Sequence, residues 1–158
     1  MSTPVNAASP RRRQRADGKR TREAILIAAA RLATVQGIDG LTIGGLAAEL
    51  GMSKSGLYAH FESKVDLQLA AIAEADRIFE EAVIRPAMEQ PSAHARLLAL
   101  CENYVQHLRD RVFPGGCFFA GRTLELGSRT GPVREAVAAF NDGLSEFIIG
   151  LIVSAQAE

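Results

Sequence analysis

A chain of 158 residues suffices for one or two small domains with a buried core. Its 18 basic and 18 acidic residues cancel, so overall charge points to no partner, yet residues 1–66 carry ten basic and six acidic side chains while residues 67–158 carry eight and twelve. Cys101 and Cys117 stand apart with no clustered histidine, which supports neither a zinc site nor a disulfide framework and leaves buried reduced thiols as the expectation, and no apolar run reaches the roughly 18 residues of a membrane-spanning helix.

In chain order, residues 1–18 mix small and polar residues with Arg11, Arg12, Arg13 and Arg15, a composition that buries no core and reads as a flexible basic arm. Residues 1–10 lack an apolar signal core, so the cytoplasm is the expected location. From Thr21, Ile25, Ala28, Ala29, Leu32 and Val35 follow helical spacing up to a stop at Gly37. Two short helices then share a tight glycine turn: Thr42 can cap the first, Gly51 can end it in the left-handed conformation, and Ser53 can cap the second. Leu46, Leu50, Met52 and Leu57 fall where these helices must touch. Gly44 and Gly45 cost the first of them roughly 1 kcal/mol each against alanine, so it must lean on tertiary packing.

Ser63 caps a long helix with Leu67, Ala71, Ala75, Ile78 and Ala82 on one face, expected to end near the Arg85-Pro86 step because residues before proline resist the helical conformation. A further helix over residues 92–112 carries the stripe Leu97, Cys101, Tyr104, Leu108 and Val112, and Pro114-Gly115-Gly116 breaks it. A shorter piece runs from Phe118 to Leu126. Gly131-Pro132 opens the last helix, whose buried face is Val133, Val137, Phe140, Leu144, Phe147, Ile148 and Leu151; Ile149 and Val153 lie off that stripe and need cover. No segment alternates with period two and no repeat is visible. The fold class is therefore all-α: a basic arm (1–18), a three-helix head with a helix-turn-helix (19–66) and a helical body (67–158).

The helix-turn-helix and the basic half together form the electrostatic footprint of DNA binding. The stretch Thr42, Gly51-Met-Ser53, Gly56, Leu57-Tyr-Ala-His-Phe61 and Ser63-Lys64 resembles the DNA-binding domain of the TetR (tetracycline-repressor-like) family. The ordered Leu-Tyr-x-His-Phe-x-Ser-Lys run makes that resemblance specific. The second helix offers Ser53, Lys54 and Ser55 at an N-terminus that favours an anion; by resemblance Thr42, Tyr58, His60 and Lys64 would grip phosphates, while Lys54, Ser55, Gly56 and Tyr58 would approach base edges in the major groove, with Lys54 the obvious guanine donor. Exposed surface is the alternative for Tyr58 and His60, a solvated charge at a helix start for Lys64, and a solubilising tail is the alternative to an arm on DNA for Arg11, Arg12, Arg13 and Arg15. Leu57 and Phe61 read as core.

In the body, Phe113-Pro-Gly-Gly-Cys-Phe-Phe119 and Gly131-Pro-Val-Arg-Glu-Ala-Val137 look like one subgroup of that family's regulatory domain. Tyr104, His107, Phe113, Phe118, Phe119, Leu124 and Phe140 would line a cavity for a small apolar or amphipathic effector, with ordinary core packing as the alternative. The resemblance implies a ligand-responsive regulator, in all expectation a repressor, that binds palindromic double-stranded operator DNA as a homodimer. No cofactor, metal or membrane partner is implied. A different reading is a small-molecule carrier with a vestigial head, motivated by Gly44-Gly45. An enzyme is not expected, since no Ser/His/Asp, Cys/His or paired-carboxylate arrangement appears at interpretable spacing. The family plan continues with two further helices that form most of the dimer interface, whereas this chain stops at Ala155-Gln-Ala-Glu158. The expectation is a shortened form, with dimerisation doubtful for this chain.

Overall fold

The computed structural model describes the backbone of residues 10–158 and the side chains of residues 18–158, and within them every regular element is helical. They run in order as α1 (Pro10–Gln36), α2 (Ile43–Leu50), α3 (Lys54–Tyr58), α4 (Lys64–Phe79), a π-helical turn (Glu80–Ile84), α5 (Arg85–Met88), α6 (Ala93–Arg109), α7 (Phe118–Leu126) and α8 (Pro132–Ala157). Helix α1 starts earlier than the spacing from Thr21 predicts, so residues 10–18, expected as a flexible arm, are helical backbone. Proline suits a first helical turn, and the Arg-rich run behind it is made of good helix formers. The side chains of Arg11, Arg12, Arg13 and Arg15 lie outside the described residues.

The head closes around wholly buried Ile38, Leu41, Leu46 and Leu57, with Ile25, Ala29, Phe61 and Leu67 beside them. Helices as short as α2 and α3 do not persist alone in water. Burial of about 1.5–3 kcal/mol per large side chain holds them, and α2 forms across Gly44 and Gly45. Each start has its cap: Thr42, Ser53 and Ser63 accept from the backbone N–H of Gly45, Gly56 and Asp66, and Gly51 ends α2 at φ 62°.

Beyond Phe79 the structure departs from expectation. The chain stays helical through the Arg85-Pro86 step to Met88 because the widened turn at Glu80–Ile84 makes room for the proline ring, which in an ordinary helix clashes with the carbonyl four residues back. The Arg85 N–H bonds Glu80 O, and Asn103 Nδ2 donates to the Val83 carbonyl. One residue of slippage moves the buried face from Ala82, which is exposed, to Phe79, Val83 and Ala87. Helix α6 is turned similarly: Ala93, Leu100 and His107 are buried, while Cys101 and Leu108 of the expected stripe are exposed. It packs against α5, the π turn and α8, and that sandwich sets the seam. Cys101 is thus exposed and Cys117 half-buried, contrary to the expectation of buried thiols.

Helix α8 is, by length and composition, apolar enough to cross a membrane, although Asp142 and Glu146 break its apolar run. Here one face packs Phe140, Leu144, Phe147 and Ile148 into the body core, and Ile149 and Val153 are exposed off that face as expected.

Candidate nucleic-acid interface and apolar cavity

The α2–α3 unit presents Thr42, Ser53, Lys54, Ser55 and Tyr58 on its exposed side, with Gly56 and His60 partly covered. Tyr58 is 60% exposed although its neighbour Leu57 is wholly buried, so α3 turns one side to the core and one to solvent. Ser53 Oγ lies 3.2 Å from Ser55 Oγ, and a Cβ at Gly44 would stand 3.3 Å from Lys54 Cε, so the lysine chain lies across the glycine. Leu57 and Phe61 are core, as expected. Lys64 is exposed at the start of α4, but its ammonium donates to the Asp39 carbonyl, which ties α4 to the α1–α2 loop.

That loop is the centre of a polar clamp that the sequence reading missed. The Glu125 carboxylate of α7 accepts the backbone N–H groups of Ile38 (3.0 Å) and Asp39 (3.1 Å), and Gln68 Nε2 donates to the Ile38 carbonyl at 2.7 Å. Arg122, almost wholly buried, donates to the Ala33 carbonyl, while its Nε pairs with Glu125 at 2.7 Å, off the line of a hydrogen bond. Arg129 pairs with Asp39, and Arg31 reaches the Val112 carbonyl at 2.8 Å. Gly37, at φ +81°, allows the close approach, since a Cβ there would lie 2.8 Å from Glu125 Oε1. Arg122 and Glu125, three residues apart on one helical face, were the available signal. On the other side of α1, Arg77 joins Glu23, Glu74 and Glu81, and the hydrogen bond with Glu74 is the first cause that drives its pKa above the ordinary arginine value.

Among α4, the π turn, α6, α7 and α8 lies a cavity of about 310 Å³. Three of the residues expected there line it, namely Tyr104, Phe119 and Phe140. Phe113, Phe118 and His107 are instead buried core, and Leu124 is 84% exposed because the polar and clamp-forming side of α7 sets its inward face elsewhere. The spacing gave no hint of Phe79, Val83, Leu100, Leu144 or Asn141, nor that Cys101 and Cys117 would share one wall system. Phe119 stacks on Phe140 with rings 7° from parallel, and Phe79 meets Phe140 edge-on at 5.4 Å. The Tyr104 hydroxyl is pushed up to about 12 by its hydrogen bond with Cys117 and by burial. Behind Phe79, the His107 ring lies between it and Phe113; Nδ1 has no hydrogen-bond partner among the described residues, and burial pulls its pKa down against the smaller opposing pull of Asp110. Among the described residues no group of His, Cys, Asp or Glu is placed to hold a metal ion.

Residues 25–71 match the family described as "Bacterial regulatory proteins, tetR family", and residues 93–158 match "Tetracyclin repressor-like, C-terminal domain". The chain is 34% identical over 76 residues to the HTH-type transcriptional repressor BepR of Brucella suis biovar 1 (strain 1330), covering 48% of this chain and 36% of that protein. It therefore spans about a third of the length of that curated relative. In three dimensions it resembles a TetR transcriptional regulator from Chloroflexus aurantiacus J-10-FL (TM-score 0.78, 29% identity, 89% of this chain and 71% of that one). It also resembles AibR, solved in complex with isovaleryl coenzyme A and operator DNA (TM-score 0.67, 26% identity, 85% and 71%).

Proposed function

Since the chain belongs to the tetracycline-repressor-like (TetR) family, we propose that it is a ligand-responsive transcriptional regulator, a cytoplasmic repressor without enzymatic activity, that binds palindromic operator DNA as a homodimer. The observation that carries this reading is the exposed row Thr42, Ser53, Lys54, Ser55 and Tyr58 on a head whose helix boundaries and core are intact. Gly44 and Gly45, the motive for a carrier with a vestigial head, sit inside a formed α2.

In this proposal α3 enters the major groove, with Lys54 donating to guanine and Ser55, Gly56 and Tyr58 beside it. Thr42, Ser53, Tyr58, His60 and Lys64 contact the backbone; Lys64 spends one of its three donors on Asp39. The relatives support this reading: BepR is a repressor, and AibR was solved with operator DNA and an acyl thioester. Ligand acts through the cavity, whose walls include α4 and α7, the two helices that hold the α1–α2 loop. An effector that favours one placement of α7 thereby favours one placement of the head.

Selection of bound DNA from a random pool tests the reading. The expected product is a palindrome with half-sites about one turn, ~34 Å, apart. In the Lys54→Ala variant preference should relax at one base position by about 1–3 kcal/mol. A pool that stays unenriched overturns the proposal.

A further inference from the structure

The cavity is lined without a single charged side chain. Its polar groups are the Tyr104 hydroxyl, the Asn141 amide and the thiols of Cys101 and Cys117; all else is hydrocarbon or aromatic ring. The one cation of α7, Arg122, is committed to the Ala33 carbonyl and to Glu125 and offers nothing inward. A carboxylate or phosphate brought here would shed its water and meet no counter-charge, an unfavourable exchange wherever the walls are of low dielectric. One of the two Asn141 Nδ2–H donors is spent on Thr123 Oγ1 at 2.7 Å, and the amide carbonyl oxygen is an acceptor available to a guest. The Tyr104 hydroxyl stands on the same cavity wall as a second polar group that can donate or accept. An apolar cavity of ~150 Å³ takes benzene, so one of about 310 Å³ matches roughly two fused rings. Phe79, Phe119 and Phe140 supply both a face and an edge against which flat rings pack favourably.

We infer that the ligand of this cavity is an uncharged compound of about two-ring size with one hydroxyl or N–H donor, which packs against Phe79, Phe119 and Phe140 and donates to the Asn141 carbonyl oxygen. The inference rests on the regulator reading only for the meaning of the site, since the recognition chemistry follows from the walls. By the same argument, a guest that has to place a carboxylate or phosphate between these walls binds more weakly than its uncharged counterpart.

Calorimetry on the full chain with 2-naphthol, 2-naphthoate, 2-methylnaphthalene and isovaleryl coenzyme A decides it. The expected result is saturable one-to-one binding of 2-naphthol, with 2-naphthoate and the thioester weaker by about tenfold or more. Asn141→Leu should bring 2-naphthol down to the affinity of 2-methylnaphthalene, a loss of about fivefold to tenfold, because only the donor distinguishes them. Ala120 is exposed at the rim of the cavity, so Ala120→Phe should occupy the space without disturbing the core and abolish 2-naphthol binding, with circular dichroism confirming the fold. Absence of saturable 2-naphthol binding, equal affinity for 2-naphthoate, or binding indifferent to Ala120→Phe overturns the inference. A chain that selects a palindrome yet prefers the charged probes remains a regulator with a different ligand. One that binds 2-naphthol at the Ala120 rim but selects no DNA keeps the ligand class and loses the regulator reading.

Discussion

In the head, Leu41, Leu46 and Leu57 are wholly buried and each of α2, α3 and α4 starts from a side-chain cap, whereas the body leaves about 310 Å³ open among its aromatic rings and, although Ser92 caps α6, begins α7 and α8 without a cap. The boundaries of the short head helices are set by local caps, while the head core continues into Phe113, Phe118 and Leu126 of the body. The body is determined by its partners, since α7 is held by the loop that it clamps and α8 by the helices it covers. A core filled without a gap makes a surface of fixed shape, which is what the proposed contact with DNA requires. A core with room in it makes a shape that depends on its contents.

The sharpest test of that contrast is to open the head. Phe61→Ala, at a site only 1% exposed, should cost about 3–5 kcal/mol in chemical denaturation, with loss of the α2–α3 fold; a cost near 1 would mean that the head has slack of its own. Next comes the clamp. Glu125→Ala strands the N–H groups of Ile38 and Asp39 and leaves Arg122 buried without its counter-charge, so stability should drop by about 3 kcal/mol and amide exchange at both residues should accelerate. Unchanged exchange would show that α7 does not hold the loop.

Removing one head cap, Ser53→Ala, should lower stability by about 1 kcal/mol, measured the same way. The opposite manoeuvre in the body, Leu144→Phe into the cavity, should raise the melting temperature by an amount equivalent to about 0.5–1 kcal/mol, which no enlargement of a head core residue would do. The smallest effect is the pH dependence from His107. Burial holds its folded pKa below the ordinary 6.5, so between 6.5 and the folded value the unfolded chain binds a proton that the fold does not. Stability therefore falls as pH drops through that window and levels off below it. The decline should vanish in His107→Leu when denaturation midpoints are compared between pH 7.5 and pH 5.

The head was legible because its signals are local. Thr42, Ser53, Ser63 and Gly51 act within three or four residues of themselves, and their roles follow from spacing alone. The body hid what depends on distant partners. Glu125 meets residues 86 and 87 positions away, so nothing near it in sequence announces its task. The π turn shifts the buried face from Ala82 to Val83, which a constant helical period cannot foresee, and Leu124 looks like a cavity residue until its exposed side of α7 is known. Of the cavity, the aromatic composition was readable but the membership was not. Tyr104, Phe119 and Phe140 face it, while Phe113 and Phe118 support from behind.

The clamp on the α1–α2 loop is made almost wholly to main-chain groups: the N–H of Ile38 and Asp39, and the carbonyls of Ala33, Ile38 and Asp39. Peptide groups are the same whichever side chain they carry, so the body recognises the path of the loop and is blind to most of its spelling. Glycine at 37 is the requirement it imposes. Under the proposed function, changes at the exposed residues of α2 and α3 would alter DNA preference while leaving these main-chain bonds in place. Side chains make the rest of the junction, where Ala29, Ala33 and Ile38 share one core with Phe113, Phe118 and Leu126, so a transplanted head would have to keep those contacts as well as the path of the loop.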